Sequence, residues 1–173
     1  GPDKYQIKGL IYDSITNDPL ENVELIVEEM SGTILEPRLS NHFGRYHRLL
    51  YFDSFNLLFR KHGYENYIYD NFIPSADIVN ELDIQMVPKE EAEFIINIDT
   101  PFTHNDIISM VISNELFSNE YEIYPGSNSI FLPEDDYNIL ITSNDILPVV
   151  KDISINESIE MDVQLFWYDI LFQ

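Results

Sequence analysis

The sequence contains no cysteine, which excludes disulfides and thiolate metal centres and says nothing for or against secretion. Bases are scarce as well: nine Lys and Arg stand against 31 Asp and Glu, for a net charge of −22 and a pI near 4.1. Nucleic acid is thereby excluded as a partner, because its phosphates need Lys and Arg to neutralise them, and attachment to anionic lipid is disfavoured for the same reason. No apolar run approaches the roughly 20 residues of a membrane-spanning helix, and no charged-then-apolar leader opens the chain, so direct membrane insertion is not expected. Nor is there a Gly-x-Ser-x-Gly elbow, a phosphate loop or a cysteine nucleophile.

What is present is apolar and aromatic: 45% and 13% of residues, too much for a disordered chain. The 173 residues suffice for one large domain or two small ones. Apolar residues recur at every second position, the period of half-buried strands. Val23, Leu25 and Val27 mark one such face, Phe55, Leu57 and Phe59 another, and Leu82, Ile84 and Met86 a third. In the second half the same reading takes Ile107, Ser109 and Val111, then Tyr137, Ile139 and Ile141, then Ile159, Met161, Val163 and Leu165. Turn clusters separate these runs, among them Thr16-Asn17-Asp18-Pro19, Pro125-Gly126-Ser127-Asn128 and Pro133-Glu134-Asp135-Asp136. The pattern predicts an all-β fold of antiparallel β-sandwiches.

The two halves resemble each other. An aromatic-centred strand, a turn, a strand and a closing strand ending Asp83-Ile84-Gln85-Met86 has the layout of a second series ending Asp162-Val163-Gln164-Leu165. Laid over one another, Gln6 to Asp13 falls against Phe94 to Thr100, and Val23 to Glu29 against Ile107 to Ser113. This predicts two tandem domains, residues 3–88 and 91–173, divided at Pro88-Lys89-Glu90-Glu91 and related by duplication. Acidity is uneven between them: residues 1–89 carry a net charge of −6 and residues 90–173, with Lys151 as their one base, −16.

The positions Ile7, Gly9, Ile11, Asp13, Thr16, Asn17, Pro19, Leu20, Val23 and Leu25 resemble the opening of the carboxypeptidase regulatory-like, or transthyretin-like, domain family. Gly44-Arg45-Tyr46 is similar to the family's Gly-x-Tyr and Gly63-Tyr64 to its Gly-Tyr. Asn17 replaces the family's turn Gly and tolerates a left-handed backbone. The family's later Gly-x-Tyr tight turn is replaced by Asp53-Ser54-Phe55; in the second half Leu132-Pro133 to Tyr137 is similar to it, without the N-terminal signature. The resemblance implies a transthyretin-like, Ig-like Greek-key sandwich without catalytic residues. It would be an accessory module of a bacterial extracellular or cell-envelope protein, foremost a secreted peptidase, partnered by a neighbouring domain of the same polypeptide or by another protein. An N-terminal extension of an outer-membrane receptor is a further setting in which such modules occur. Gly1-Pro2 resembles the remnant of a cleaved tag and Leu171-Phe172-Gln173 the other side of such a site, although Asp169-Ile170 fits native sequence, so the chain is expected to be a piece of a longer protein.

His62-Gly63-Tyr64-Glu65 matches the His-x-x-Glu by which zinc carboxypeptidases hold their metal. Tyr64, Tyr67, Ile68 and Tyr69 predict a strand there, which sends residues three apart to opposite faces, so no zinc site is expected. His42, His47 and His104 are read as solvated or hydrogen-bonded rather than ligating. Calcium is the better candidate metal, through turn acids such as Asp13/Asn17/Asp18, Asp99/Asp106 and Glu134/Asp135/Asp136, set against a plain solvated acidic surface. No other cofactor is implied. Five of the nine bases, Arg38, Arg45, Arg48, Arg60 and Lys61, fall within residues 38–62. From these Arg45, His47, Arg48, Arg60 and Lys61 are taken as a candidate docking patch, with Arg45 and His47 on one strand face and Tyr46 and Arg48 on the other. A glycan-stacking platform of Tyr64, Tyr67, Tyr69, Trp167 and Tyr168 is the rival reading, against core packing.

Overall fold

The computed structural model describes residues 5–51 and 53–168, which leaves Gly1-Pro2 and the segment from Asp169 to Gln173 outside the described residues. It divides into two compact units, Gly1–Lys89 and Glu90–Gln173, and every described element is strand, turn or loop.

In the first unit the strands are β1 (Tyr5–Asp13), β2 (Glu24–Glu29), β3 (Arg38–Leu39), β4 (Arg45–Leu50), β5 (Phe55–Arg60), β6 (Tyr67–Phe72), β7 (Val79–Glu81) and β8 (Ile84–Met86). One sheet runs β4-β1-β7, with β8 pairing β1 further along; the other runs β3-β2-β5-β6. Ile7 and Ile11 of β1 share a core with Leu25 and Val27 of β2, Phe55, Leu57 and Phe59 of β5, and Ile84 and Met86 of β8. Two sheets closing on one core make a β-sandwich.

Around Gly9, β7 and β8 both run parallel to β1, and the ladder between them is interrupted at Leu82-Asp83. There the Asp83 carboxylate accepts the Leu10 amide at 2.9 Å, and the Tyr46 hydroxyl donates to the Leu82 carbonyl at 2.6 Å. That carbonyl lies so close to Gly9 that a Cβ would stand 2.0 Å from its oxygen.

The second unit consists of β9 (Glu91–Asp99), β10 (Ile108–Asn114), β11 (Phe117–Ile123), β12 (Gly126–Pro133), β13 (Asp135–Thr142), β14 (Val149–Ile155) and β15 (Ile159–Gln164). Its sheets are β12-β9-β15 and β11-β10-β13-β14, with β15 parallel to β9. This is the order of the first unit, with the single strand β15 in the place that β7 and β8 share beside β1. Even the missing turn tyrosine has its place: Phe55, opposite Glu29 on β2, occupies the position of Tyr137 in β13. Tyr137 donates to the Pro133 carbonyl at 2.7 Å, a bond that Phe55 lacks the hydroxyl to make.

One reading of the sequence is corrected here. Ile108, Met110 and Ile112 face the core, whereas Ile107 is 71% exposed. β10 carries apolar residues at both parities, so alternation alone does not select a face. Pairing does, because Met110 lies opposite buried Ile141 and Ile112 opposite buried Ile139. The overlay of the halves therefore slips by one residue: Leu25, opposite Phe59, corresponds to Met110, opposite Ile141.

Candidate functional site

Ile11, Asp13, Asn17, Leu20, Gly44 and Tyr64 come together where β1 ends. Asp13 closes β1, and its Oδ1 accepts the amides of Ile15 and Thr16 at 2.8 and 3.0 Å. The turn that follows is left-handed at Asn17 (φ 62°), as expected for the residue standing in for glycine. Leu20 then donates its amide back to the Ile11 carbonyl, and Ile11 donates to Gly44 at 2.7 Å. Gly44 needs to be glycine twice over: its φ is 74°, and a Cβ would stand 2.5 Å from the Ile11 oxygen. Finally the Tyr64 hydroxyl donates to Asp13 Oδ2 at 2.7 Å. The Thr16 amide, the Tyr64 hydroxyl and the Ile15 amide hold the Asp13 carboxyl below its ordinary 3.8. Burial, and after it that same bond, pushes the Tyr64 phenol up to about 12. The Asp of the first signature segment and the Tyr of the last thus form one bond, which locks the sandwich.

His62 and Glu65 sit in the turn before β6 and not in a strand, which corrects the expectation for residues 64–66. Gly63 turns the chain at φ 87°, and Tyr64 makes an isolated bridge to Pro88. Glu65 donates its amide to Val87, and Lys89 donates to the Gly63 carbonyl. The segment is thereby fixed to the end of the first unit. Strand alternation is consequently not what separates His62 from Glu65. Among the described residues no group of three or more His, Asp or Glu side chains could hold an ion, here or at the acidic turns read as calcium candidates. In those turns the carboxylates serve the backbone and nearby hydroxyls: Asp13 as described, Asp135 by accepting the Asp136 amide, and Asp136 by accepting the Ser154 hydroxyl.

The five residues of the candidate docking patch do not share a face. Arg45 and His47 are exposed on the outer face of β4, while Arg48 is buried and donates from Nη1 to the Glu36 carbonyl. Arg60 belongs to the other sheet, where its Nε meets Glu24 Oε2 at 3.0 Å. Lys61 donates to the Glu21 carbonyl at 2.7 Å, and burial pulls its pKa below the ordinary lysine value. What remains together is Arg45, His47 and neighbours that the local sequence does not disclose. Lys8 lies across from His47 and Leu10 across from Arg45, and with Leu39 and Glu81 they line an open groove of about 550 Å³. His47 Nε2 bonds Gln6 Oε1 at 2.8 Å, and Lys8 pairs with Glu81 at 3.5 Å. Lys8 could have been found from β1 alone, since it occupies the outward parity between Ile7 and Gly9. Its place beside His47 could not.

The aromatic platform is also divided. Tyr64 is bonded to Asp13 and Tyr67 packs edge-on against Phe59 in the first unit, whereas Trp167 and Tyr168 belong to the second. His104, read as solvated or hydrogen-bonded, is buried and hydrogen-bonded: its Nε2 lies 2.9 Å from Ser143 Oγ and its ring 5.5 Å from Trp167. Because the Ser143 hydroxyl donates to the Ile107 carbonyl at 2.7 Å, it can only accept from His104. Its one proton is committed to a backbone oxygen, so Ser143 is not poised as a nucleophile.

No family model matches the chain, and no curated protein does. Solved structures do. A streptococcal ancillary pilin is 10% identical with a TM-score of 0.48 over 94% of this chain and 62% of its own length. A minor pilin of Streptococcus agalactiae is 11% identical with a TM-score of 0.48 over 93% and 95%. The Bacillus anthracis TIE protein is 15% identical with a TM-score of 0.43, this chain spanning 34% of it. The chain thus spans about a third of the last and under two thirds of the first. Likeness at this level carries no function across.

Proposed function

We propose that this chain is a non-catalytic pair of tandem, duplicated sandwiches, residues 3–88 being a carboxypeptidase regulatory-like module. It would serve as an accessory segment of a larger bacterial extracellular or cell-envelope protein, foremost a secreted peptidase, bracing a neighbouring domain or binding a protein partner. The observation that carries this reading is how the signature residues are used. Gly9, Asp13, Asn17, Gly44, Tyr46 and Tyr64 all go into turns, close approaches and internal hydrogen bonds, none of which leaves a group free for chemistry. Of the basic residues read as a docking patch, Arg45 and His47 stay exposed on one strand face, and docking through that face is the module's mechanism on this reading.

The test uses the double variant Arg45→Glu, His47→Glu. Both side chains are exposed, so the two changes should cost at most roughly 0.5 kcal/mol each and shift the melting temperature by no more than about 4–8 °C. Binding in trans to the flanking domain of the full-length protein should weaken at least tenfold and become less salt-dependent. Unaltered binding by a folded variant would remove this face from the mechanism.

A further inference from the structure

The backbone of β4 adds something that its side chains do not. Ile11 donates to the Gly44 carbonyl at 2.7 Å, so in the antiparallel register that pairs Tyr5 with Leu50 and Gly9 with Tyr46, the odd residues of β1 bond the even residues of β4. Arg45, His47 and Leu49 therefore direct their amides and carbonyls away from β1, and β4 is the terminal strand of its sheet. Asn41 satisfies Arg45, donating its amide to the Arg45 carbonyl and accepting the Arg45 amide on Oδ1, both at 2.9 Å. Among the described residues nothing satisfies the main-chain groups of His47 and Leu49. They flank an opening of about 280 Å³ lined by Arg38, His47, Arg48 and Leu49.

In a chain that is otherwise overwhelmingly acidic, this edge presents Arg45, followed outward by His47 and the exposed Leu49. Arg45 presents a guanidinium with no partner among the described residues, and it stands two positions from His47 on the same face. Arg38 lies close enough to Arg48 to lower its pKa further, after the larger effect of burial, and is itself paired with Glu36 at 3.6 Å. The acids of the adjoining groove are already engaged on the far side of β1, Glu81 by Lys8 and Asp83 by the Leu10 amide.

We propose that the free edge of β4 is a strand-addition site for an extended acidic segment of a partner polypeptide. Such a segment completes the ladder through the main chain of His47 and Leu49 and sets its carboxylates against Arg45 and His47. An incoming strand repeats its side chains at every second residue, the spacing of Arg45 and His47, so acids at alternate positions face the Arg45 guanidinium and the His47 ring in register. The inference rests on the docking reading of this face and names the chemistry of what docks.

The experiment titrates the chain with a synthetic Glu-Val-Glu-Val-Glu-Val peptide and with its Gln-for-Glu analogue, following amide exchange and chemical shifts by NMR. Expected are slowed exchange of the His47 and Leu49 amides with the acidic peptide, at least tenfold weaker binding of the Gln analogue, and at least tenfold weaker binding to Arg45→Glu, which stays folded. Equal binding of the two peptides, protection elsewhere, no binding at millimolar peptide, or self-association through this edge would each overturn it. Should the two amides stay unprotected while Arg45→Glu, His47→Glu still weakens docking of the flanking domain, strand addition fails and the docking reading stands.

Discussion

Replacing Gly9 with alanine is expected to destabilise the first unit by about 3 kcal/mol or more, the upper range for forcing atoms into a packed interior. The added Cβ would lie 2.0 Å from the Leu82 oxygen, 2.6 Å from the Leu82 carbonyl carbon and 3.0 Å from the Tyr46 ring. Two of those three atoms are backbone and cannot swing aside. The same carbonyl accepts the Tyr46 hydroxyl, a phenol whose pKa burial and, after it, the charge of Asp83 push upward. Moving the Leu82 peptide to admit a methyl group therefore breaks a buried hydrogen bond as well. With roughly 4–13 kcal/mol available to a unit of this size, roughly a quarter to three quarters of its stability is at stake, and its melting midpoint should fall by roughly 12 °C or more. Thermal unfolding, with hydrogen exchange reporting separately on residues 5–89 and 90–168, reads the effect; exchange in the first group unchanged from the parent would contradict the packing described.

The second large effect is at the Asp13–Tyr64 lock. Tyr64→Phe removes one charge-assisted bond and Asp13→Asn weakens three, so both should lower the midpoint at pH 7, Asp13→Asn the more. The dependence on pH follows from the sign of the shift. The folded-state pKa of Asp13 is depressed below 3.8, so its contribution is fully present above that value and is lost as pH falls through the folded pKa. The gap between parent and Asp13→Asn should accordingly be constant from pH 7 down to about 5 and close below about 3.8. A gap that widens with acid would contradict the assignment.

Much of the first sandwich is legible in the sequence because one parity of its core strands carries the apolar run, Leu25 and Val27, then Phe55, Leu57 and Phe59, while the other is broken by Glu24, Glu28, Asn56 and Arg60. β10 offers two, and only its partners across the sheet decide between them. The left-handed turn at Asn17 is likewise legible, since its side-chain type restricts the backbone. His62 to Glu65 misleads because Tyr64, with Tyr67 and Tyr69 just beyond it, has strand propensity, while Gly63 and the Tyr64 bridge to Pro88, 24 positions away, impose a turn. The cationic cluster is the clearest case of what local reading cannot supply. Counting bases finds Arg48 and Arg60, but their partners Glu36 and Glu24 come from other strands and connections, and Lys8 joins Arg45 and His47 only through pairing of β1 with β4. His104 looked solitary for the same reason, its contacts being 39 and 63 residues distant.

The account stands on the family-like signature being a structural lock, and one measurement addresses that directly: NMR titration of the Asp13 carboxyl in the parent chain and in Tyr64→Phe. The lock predicts a midpoint below 3.8 in the parent that moves up when the tyrosine hydroxyl is removed. A midpoint at or above 3.8 that does not respond to Tyr64→Phe would contradict it.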